Sequence, residues 1–371
     1  MSTIYIHWPF CISKCHYCDF NSVISPSHID YDHWLLLYKK ILLQFKDIYY
    51  RSEEITSIYF GGGTPTLLPR HFIMELLETI HLHFTVTDPE ITLEANPKTI
   101  SKSLGSTGIN RLSIGAQSIV DDDLKMLGRI HTAAEAMESV FEMAEIFQNI
   151  SVDLIYNRPR QKLSHWLGEL REVLRWPIQH ISLYELIIEE GTKMKDIIDS
   201  GILSRPNGDS IFLEETIKTT EGAGFNCYEI SNFARPGFEC RHSMSYWKYE
   251  DYYGVGPGAH SRVRLNGKKI AIAQASEIQE WLTWASGSAI LDVEYLSAEE
   301  EFQERLIMGL RSAAGLDMGN ISPELREKHG IDNKIQSLLA NSYIMLRGDN
   351  VILTRTGLLK LNLIVKYLSG E

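Results

Sequence analysis

The sequence predicts an α/β protein: a full or partial barrel of about six β/α units, followed by a smaller helical, winged-helix-like module. Two observations predict it. Short apolar runs alternate with amphipathic helical stretches through the first half of the chain, which implies a parallel sheet. From about Ser297 the pattern changes to short helices followed by a hairpin. A doubly wound open sheet is the architectural alternative.

Taken in order, residues 4–7 form the first expected strand, which ends before Pro9, and residues 28–49 a leucine-rich helix. Residues 55–60 form the next strand and run into Gly61, Gly62, Gly63, Thr64 and Pro65. Pro69 suits the first position of a helix in which Phe72, Ile73, Leu76, Leu77 and Ile80 share one face. Strands are expected at 91–93, 111–114, 152–156 and 181–186, with helices near 98–106, 121–147 and 162–175 between them. Ser297 followed by Glu300 is a capping-box signature for a helix running to about Arg311. Residues 343–346 and 351–354 then flank a turn as a hairpin, with a last helix at 356–368. This divides the chain into a barrel (1–235), a connecting segment (236–296) and a C-terminal module (297–371).

Composition narrows the function. The 371 residues carry 36 Lys and Arg against 48 Asp and Glu, a formal net charge of −12. A general nucleic-acid binder needs a basic surface, so nucleic acid is not an expected partner, although a local basic pocket for a small anion is compatible. No apolar run is long enough to span a bilayer and no signal-peptide pattern opens the chain, so the expected compartment is the cytoplasm, with peripheral membrane association left open. Three of the five cysteines fall within eight residues, which makes no disulfide framework and reads as metal binding.

Cys11, Cys15 and Cys18 follow the first strand in a Cx3CxxC loop. Thiolates are soft ligands for zinc or iron–sulfur clusters. Zinc would need His7 or His16 to complete it, whereas three thiolates on a four-iron cluster would leave one iron open. Glycines 61–63 would let backbone N–H groups approach an anionic or carbonyl-bearing ligand, or would simply form a βα turn. Glu94 and Gln117 come at strand ends, where ligand-binding side chains of β/α folds gather. Asp153 lies between Val152 and Leu154 and needs a partner if buried, for which a structural salt bridge suffices.

These motifs resemble the radical SAM superfamily. The stretch from Tyr5 to Cys11, Cys18-Asp19-Phe20, the Gly61–Thr66 run, Arg111-Leu-Ser-Ile-Gly-Ala-Gln117, Leu127-Gly-Arg129-Ile-His131 and Asp153-Leu-Ile-Tyr156 are together similar to the branch that holds oxygen-independent coproporphyrinogen dehydrogenases and HemW heme chaperones. The resemblance implies a radical SAM barrel, a [4Fe–4S] cluster on Cys11, Cys15 and Cys18, and S-adenosylmethionine (SAM) at the open iron. Tyr5 and Tyr17 would flank cluster and cofactor, and Gly62, Gly63 and Thr64 would hold the amino-acid end of SAM. Glu94, Gln117, Arg129 and Asp153 would supply the remaining polar contacts. The implied chemistry is electron transfer from the reduced cluster into the sulfonium, giving methionine and a 5′-deoxyadenosyl radical.

Within that branch the dehydrogenases resembled here have a further cysteine where this chain has Phe20, and an extension ahead of the motif, so the resemblance favours the heme chaperones. Residues Arg241 to Trp247 are similar to their His-Asn-x-x-Tyr-Trp heme motif, with His242 as the axial heme ligand and Ser243 in place of Asn. Asn157-Arg158-Pro159, where the family has Gly-Leu-Pro, adds bulk and charge beside the expected SAM site. The expectation is a heme chaperone delivering heme to membrane or respiratory acceptor proteins, drawing on an electron donor for its cluster, with no residue assigned as catalytic. Radical decarboxylation of coproporphyrinogen III propionates is the alternative, followed by radical SAM chemistry on another substrate. Whether SAM is cleaved, and whether the chain forms a homodimer, are left open.

Overall fold

Six parallel strands form the frame: β1 (Ser2–Trp8), β2 (Ile55–Gly62), β3 (Val86–Ala95), β4 (Arg111–Gln117), β5 (Ile150–Tyr156) and β6 (His180–Glu185). The computed structural model describes residues 1–50, 53–206, 210–287 and 293–370. The strands pair in chain order, and helices cover one face. Successive side chains of a strand point to opposite faces. Leu112, Ile114, Val152, Leu154, Ile181 and Leu183 take the helix-covered face and are almost wholly buried. Arg111, Ser113, Gly115 and Gln117, with Asp153 and Ser182, take the other and line a central lumen.

The frame is a partial barrel. β6 pairs onward with the antiparallel β8 (Asn232–Ala234), which carries β7 (Asn226–Cys227). On the opposite side β1 pairs in parallel with β9 (Asp251–Val255), and β10 (His260–Leu265), β11 (Lys268–Ala273) and β12 (Val293–Tyr295) continue the sheet antiparallel, to 12 strands in all. Segment 236–296, read from sequence as a connector, therefore builds four strands of the main sheet. The arginines of β10, the lysines that open β11 and the three-residue length of β12 weaken their apolar pattern, which hid them.

Helix α1 (Tyr31–Ile48) starts at Asp30, whose side chain accepts the His33 N–H, and buries Trp34, Tyr38, Ile41 and Phe45. Trp34 stacks on Trp281 with centroids 5.2 Å apart, and Trp8 meets Trp34 edge-on at 5.3 Å. Burial of each such ring contributes about 2–3 kcal/mol. Helix α2 (Arg70–His83) begins one residue later than expected, because Pro69 serves as its N-cap. Only a 3₁₀ turn, Lys102–Ser106, occupies the expected 98–106 helix. The expected 121–147 helix is two, α3 (Asp121–Met126) and α4 (Ala133–Ala144), broken at Gly128 with φ +74° and restarted by a Thr132–Glu135 capping box. Helix α5 (Leu163–Val173) falls where it was expected.

The C-terminal module has its own apolar core of Phe302, Leu306, Ile331, Ile335, Val351 and Ile364. Ser297 and Glu300 form the expected reciprocal cap on the helix Ala298–Gly309. The hairpin Ile344–Arg347 and Asn350–Leu353 gains a third strand, Leu316–Asp317, and the last helix is split into Arg355–Leu358 and Leu361–Ser369.

Arg158 follows β5 and is fully buried, yet it lies outside the lumen wall. Its guanidinium pairs with Glu169 on α5 and with Asp123 on α3 at 2.9 Å, and donates to the Ile155 carbonyl at 3.0 Å. The charge expected beside the SAM site instead ties two helices to a strand end. Arg158→Ala leaves Glu169 buried without its cation and is expected to cost about 3–5 kcal/mol in chemical denaturation. A loss below about 1 kcal/mol would mean that Ser118 and Gln161 satisfy Glu169 alone.

Candidate functional site

The cysteine loop has no core of its own and is braced from three sides. From the second glycine-rich turn, Gly63 N–H donates to the Trp8 carbonyl at 2.6 Å and Thr64 N–H to the Phe10 carbonyl at 2.9 Å. A Cβ on Gly63 would fall 2.7 Å from the Phe10 carbonyl oxygen, so only glycine allows this approach. From the α3–α4 turn, the Leu127 carbonyl accepts His16 N–H at 2.9 Å, and the His16 ring lies against Gly128 with Nδ1 2.8 Å from the Met126 carbonyl. From the third side, the carbonyls of Pro257, in the turn after β9, and Ser276, just after β11, accept from the Asn21 amide at 2.9 and 3.0 Å.

Cys11, Cys15 and Cys18 are all free, and all three line one cavity of about 400 Å³ that runs from this loop into the lumen. Among the described residues no three His, Cys, Asp or Glu side chains are arranged to hold a single metal ion. Of the two histidines either of which would have completed a zinc site, His7 is engaged at both nitrogens, Nδ1 with the Tyr5 hydroxyl at 3.0 Å and Nε2 with the Asn21 carbonyl at 2.9 Å, and the His16 ring is held through Nδ1 as above. Burial pushes the Cys11 and Cys18 thiols up, so they are neutral at neutral pH and metal loading releases protons. Three soft donors on one wall of an open cavity, with no fourth thiol on the loop, fit a cluster with one exposed iron better than closed zinc.

The structure brings Tyr17, Gly62, Gly63, Thr64, Glu94, Gln117, Arg129 and Asp153 together on the same cavity wall. Glu94 accepts from the Tyr59 hydroxyl at 2.9 Å and from Gly62 N–H at 3.1 Å, and burial, opposed by these bonds, raises its pKa to about 7. Asp153 accepts from the Ser113 hydroxyl at 3.0 Å, and its pKa is raised by burial too. Gln117 turns at the strand end with φ +67°, a strained conformation for a side-chain-bearing residue that marks functional positions. Arg129, expected as a carboxylate fork, is already committed: Nη1 donates to Cys15 Sγ at 3.2 Å and Nη2 to the Gly115 carbonyl at 2.8 Å. Tyr5 sits below the wall, in contact distance of Gly61 and hydrogen-bonded to His7.

His242 is not at the cavity surface. It is 3% exposed and stacks on Tyr59 at 4.8 Å, with Nδ1 2.9 Å from the Ser57 hydroxyl and Nε2 2.8 Å from the Tyr246 hydroxyl. Burial, with Arg111 nearby, lowers its pKa to about 3. Both nitrogens are engaged, so the expected axial-ligand role has no free lone pair to serve it; neither Tyr246 nor Trp247 lines the cavity. Sequence reasoning missed the inner wall: Arg111, Ser113, His180, Ser182, Asn232 and Cys240. The signal was there, in strands alternating polar with apolar residues, a pattern uncommon in parallel sheets buried on both faces.

A parallel β/α frame around a polar lumen, with a three-thiol loop at its mouth, defines a radical SAM-type barrel. Comparison with known proteins agrees. A model of the radical SAM superfamily matches residues 5–172. Over most of its length the chain is similar to radical S-adenosyl methionine domain-containing protein 1, mitochondrial, of Danio rerio, at 35% identity covering 93% of this chain and 82% of that one. It is similar to the heme chaperone HemW of Bacillus subtilis strain 168 at 32% identity, covering 91% and 90%, and to that of Escherichia coli K12 at 35%, covering 72% of each. The fold matches coproporphyrinogen III oxidase (HemN) of Escherichia coli with a TM-score of 0.82 and 20% identity, over 99% of this chain and 90% of that one. The chain belongs to the HemW family of the radical SAM superfamily. No helix among the described residues is long and apolar enough to cross a membrane.

The raised pKa of Glu94 sets a pH dependence in the ligand-free protein. The unfolded carboxyl ionises from about pH 4.5, while the folded one keeps its proton until about 7, so stability falls as pH rises through that window. Glu94→Gln should remove up to about 1.4 kcal/mol per pH unit of that fall. Urea denaturation at pH 5 and 8 measures it; an unchanged pH difference would place the Glu94 carboxyl in a solvated setting.

Proposed function

We propose that this protein is a heme chaperone, holding a [4Fe–4S] cluster on Cys11, Cys15 and Cys18 and SAM in the adjoining cavity, and passing heme to membrane or respiratory acceptor proteins. The observation that carries the reading is the apolar mouth of the cavity. Phe20 is 60% exposed and Ile187 65% exposed, and both stand at the cavity edge beside the cysteine loop. Large apolar side chains left in water at the rim of a polar pocket mark a binding surface. Here they suit a flat apolar macrocycle carrying polar substituents. The relatives named as heme chaperones, matched over most of their length, support the same reading.

Cys11, Cys15 and Cys18 would hold the cluster, whose chemistry when bound and reduced would be one-electron transfer toward the SAM sulfonium. The chain's own part is to hold and orient. Gly62 and Gly63 expose backbone where a side chain would collide with His7 and Phe10. Arg129 Nη1 donates to Cys15 Sγ and so holds that side chain at the mouth of the cavity. Glu94, whose pKa burial raises to about 7, can donate as well as accept hydrogen bonds near neutral pH, and Asp153, raised by burial in the same direction, adds a second carboxyl group to the wall. The cluster's electron donor and the cytoplasmic setting belong to the same proposal.

Anaerobic reconstitution tests it. Cys11→Ala, Cys15→Ala and Cys18→Ala should each lose most cluster iron, and the wild type should take up heme without consuming coproporphyrinogen. Conversion of coproporphyrinogen would overturn the chaperone reading in favour of radical decarboxylation. Phe20→Ala should weaken heme binding about tenfold, the loss of roughly 1.4 kcal/mol of apolar contact. His242→Ala should lower the melting temperature through its lost hydrogen bonds and leave heme affinity within about twofold; a large affinity loss would restore His242 as a ligand.

A further inference from the structure

Arg111 opens β4 at the end of the strand opposite Gln117, and its side chain lies in the wall of the lumen's inner end at 2% exposure. Two other arginines of the barrel use their terminal nitrogens on protein partners, Arg158 on Glu169 and Asp123, and Arg129 on Cys15 and Gly115, although each leaves its Nε without one. Arg111 differs. Its Nε is unpartnered like theirs, but so are its terminal nitrogens: no described residue forms an ion pair or hydrogen bond with its guanidinium. Glu90, Tyr59, Tyr228 and Cys240 surround it closely enough to act through space only.

The neighbouring acceptors are spoken for. Glu90 receives the Cys240 thiol and His242 N–H, each at 3.4 Å, and Asp153 receives Ser113. His180 bonds Ser151 and Tyr228 through its two nitrogens, both at 2.7 Å, and burial keeps it neutral. Thr92, paired with Arg111 across β3 and β4, also buries a hydroxyl without a partner. A guanidinium carries five donors in a planar fork and is never deprotonated in proteins. Leaving it buried and unpaired costs several kcal/mol, so such a group facing a cavity is poised for an anion.

We propose that Arg111 is the carboxylate-binding group for the ligand of this lumen, gripping a carboxylate carried inward from the cysteine-loop mouth. The proposal rests on reading the cavity as a SAM and tetrapyrrole site and adds which ligand group reaches its inner end. Two sources share that chemistry: a tetrapyrrole propionate and the methionyl carboxylate of SAM. The fork geometry matches a carboxylate bidentately.

The test uses the anaerobically reconstituted full chain and two probe pairs, heme with its dimethyl ester and SAM with its decarboxylated analogue. The expected result is that the wild type binds one acid at least tenfold more tightly than its counterpart without a free carboxylate. Arg111→Gln should erase that preference without weakening the counterpart, and Arg111→Lys should restore part of it. The pair that discriminates identifies the source. Discrimination of the SAM pair with no heme binding leaves Arg111 standing and removes the heme reading. Heme binding without discrimination in either pair keeps the heme reading and overturns the role of Arg111. Equal losses for acid and counterpart in Arg111→Gln would also overturn it, as a structural arginine would behave so. Absence of discrimination in the wild type overturns the role of Arg111 even if neither variant folds.

Discussion

The alternation of side chains along six parallel strands is the constraint from which the rest of this structure follows. One face of every strand is apolar and sealed by helices; the other carries serine, aspartate, glutamate, histidine and arginine into a shared interior. Such an interior cannot collapse into a dry core, because each polar group needs a partner. Some find one another, as Ser113 finds Asp153 and His180 finds Tyr228. Those that do not leave a lumen with specific unmet demands, and so the same sheet that gives the fold its stability also defines its binding chemistry.

The cysteine loop shows the complementary economy. Three thiols must face one point, yet the loop carrying them is too short to fix itself. Its conformation is borrowed from three neighbouring turns, each of which needs a glycine because another backbone or ring comes too near for a side chain: Gly63 against Phe10, Gly128 against His16, Gly258 against Asn21. The polar residues nearest the loop stand in altered protonation equilibria, since they are cut off from water without yet being paired to a ligand.

Much of this could be read in the sequence. The six frame strands, the cysteine loop and the strand-end residues Glu94 and Gln117 announced themselves, because strand ends followed by glycine or proline have strong local signatures. What was not legible was what depends on distant partners. Arg158 looked like an intrusion on the cofactor site until Asp123 and Glu169 were found around it. His242 looked like a ligand because nothing local reveals that Ser57 and Tyr246 take both its nitrogens. Arg111 was quoted within a motif but given no role, since a buried charge is recognised only by the absence of its partner. The strands after residue 250 were missed because each is short and held by the sheet rather than by its own composition.

The position of β1 carries a further consequence, for the order in which the molecule comes into being. This first strand is flanked on one side by β2 and on the other by Asp251–Val255, and the loop that follows it is fastened to Pro257 and Ser276. Contacts so distant along the chain close late and slow the search for the native state. During synthesis β1 leaves the ribosome well ahead of its second neighbour, which emerges some two hundred and fifty residues later. The thiol loop therefore reaches its final form only after Ser276 has emerged, and iron and sulfide can be received in that geometry only from then on.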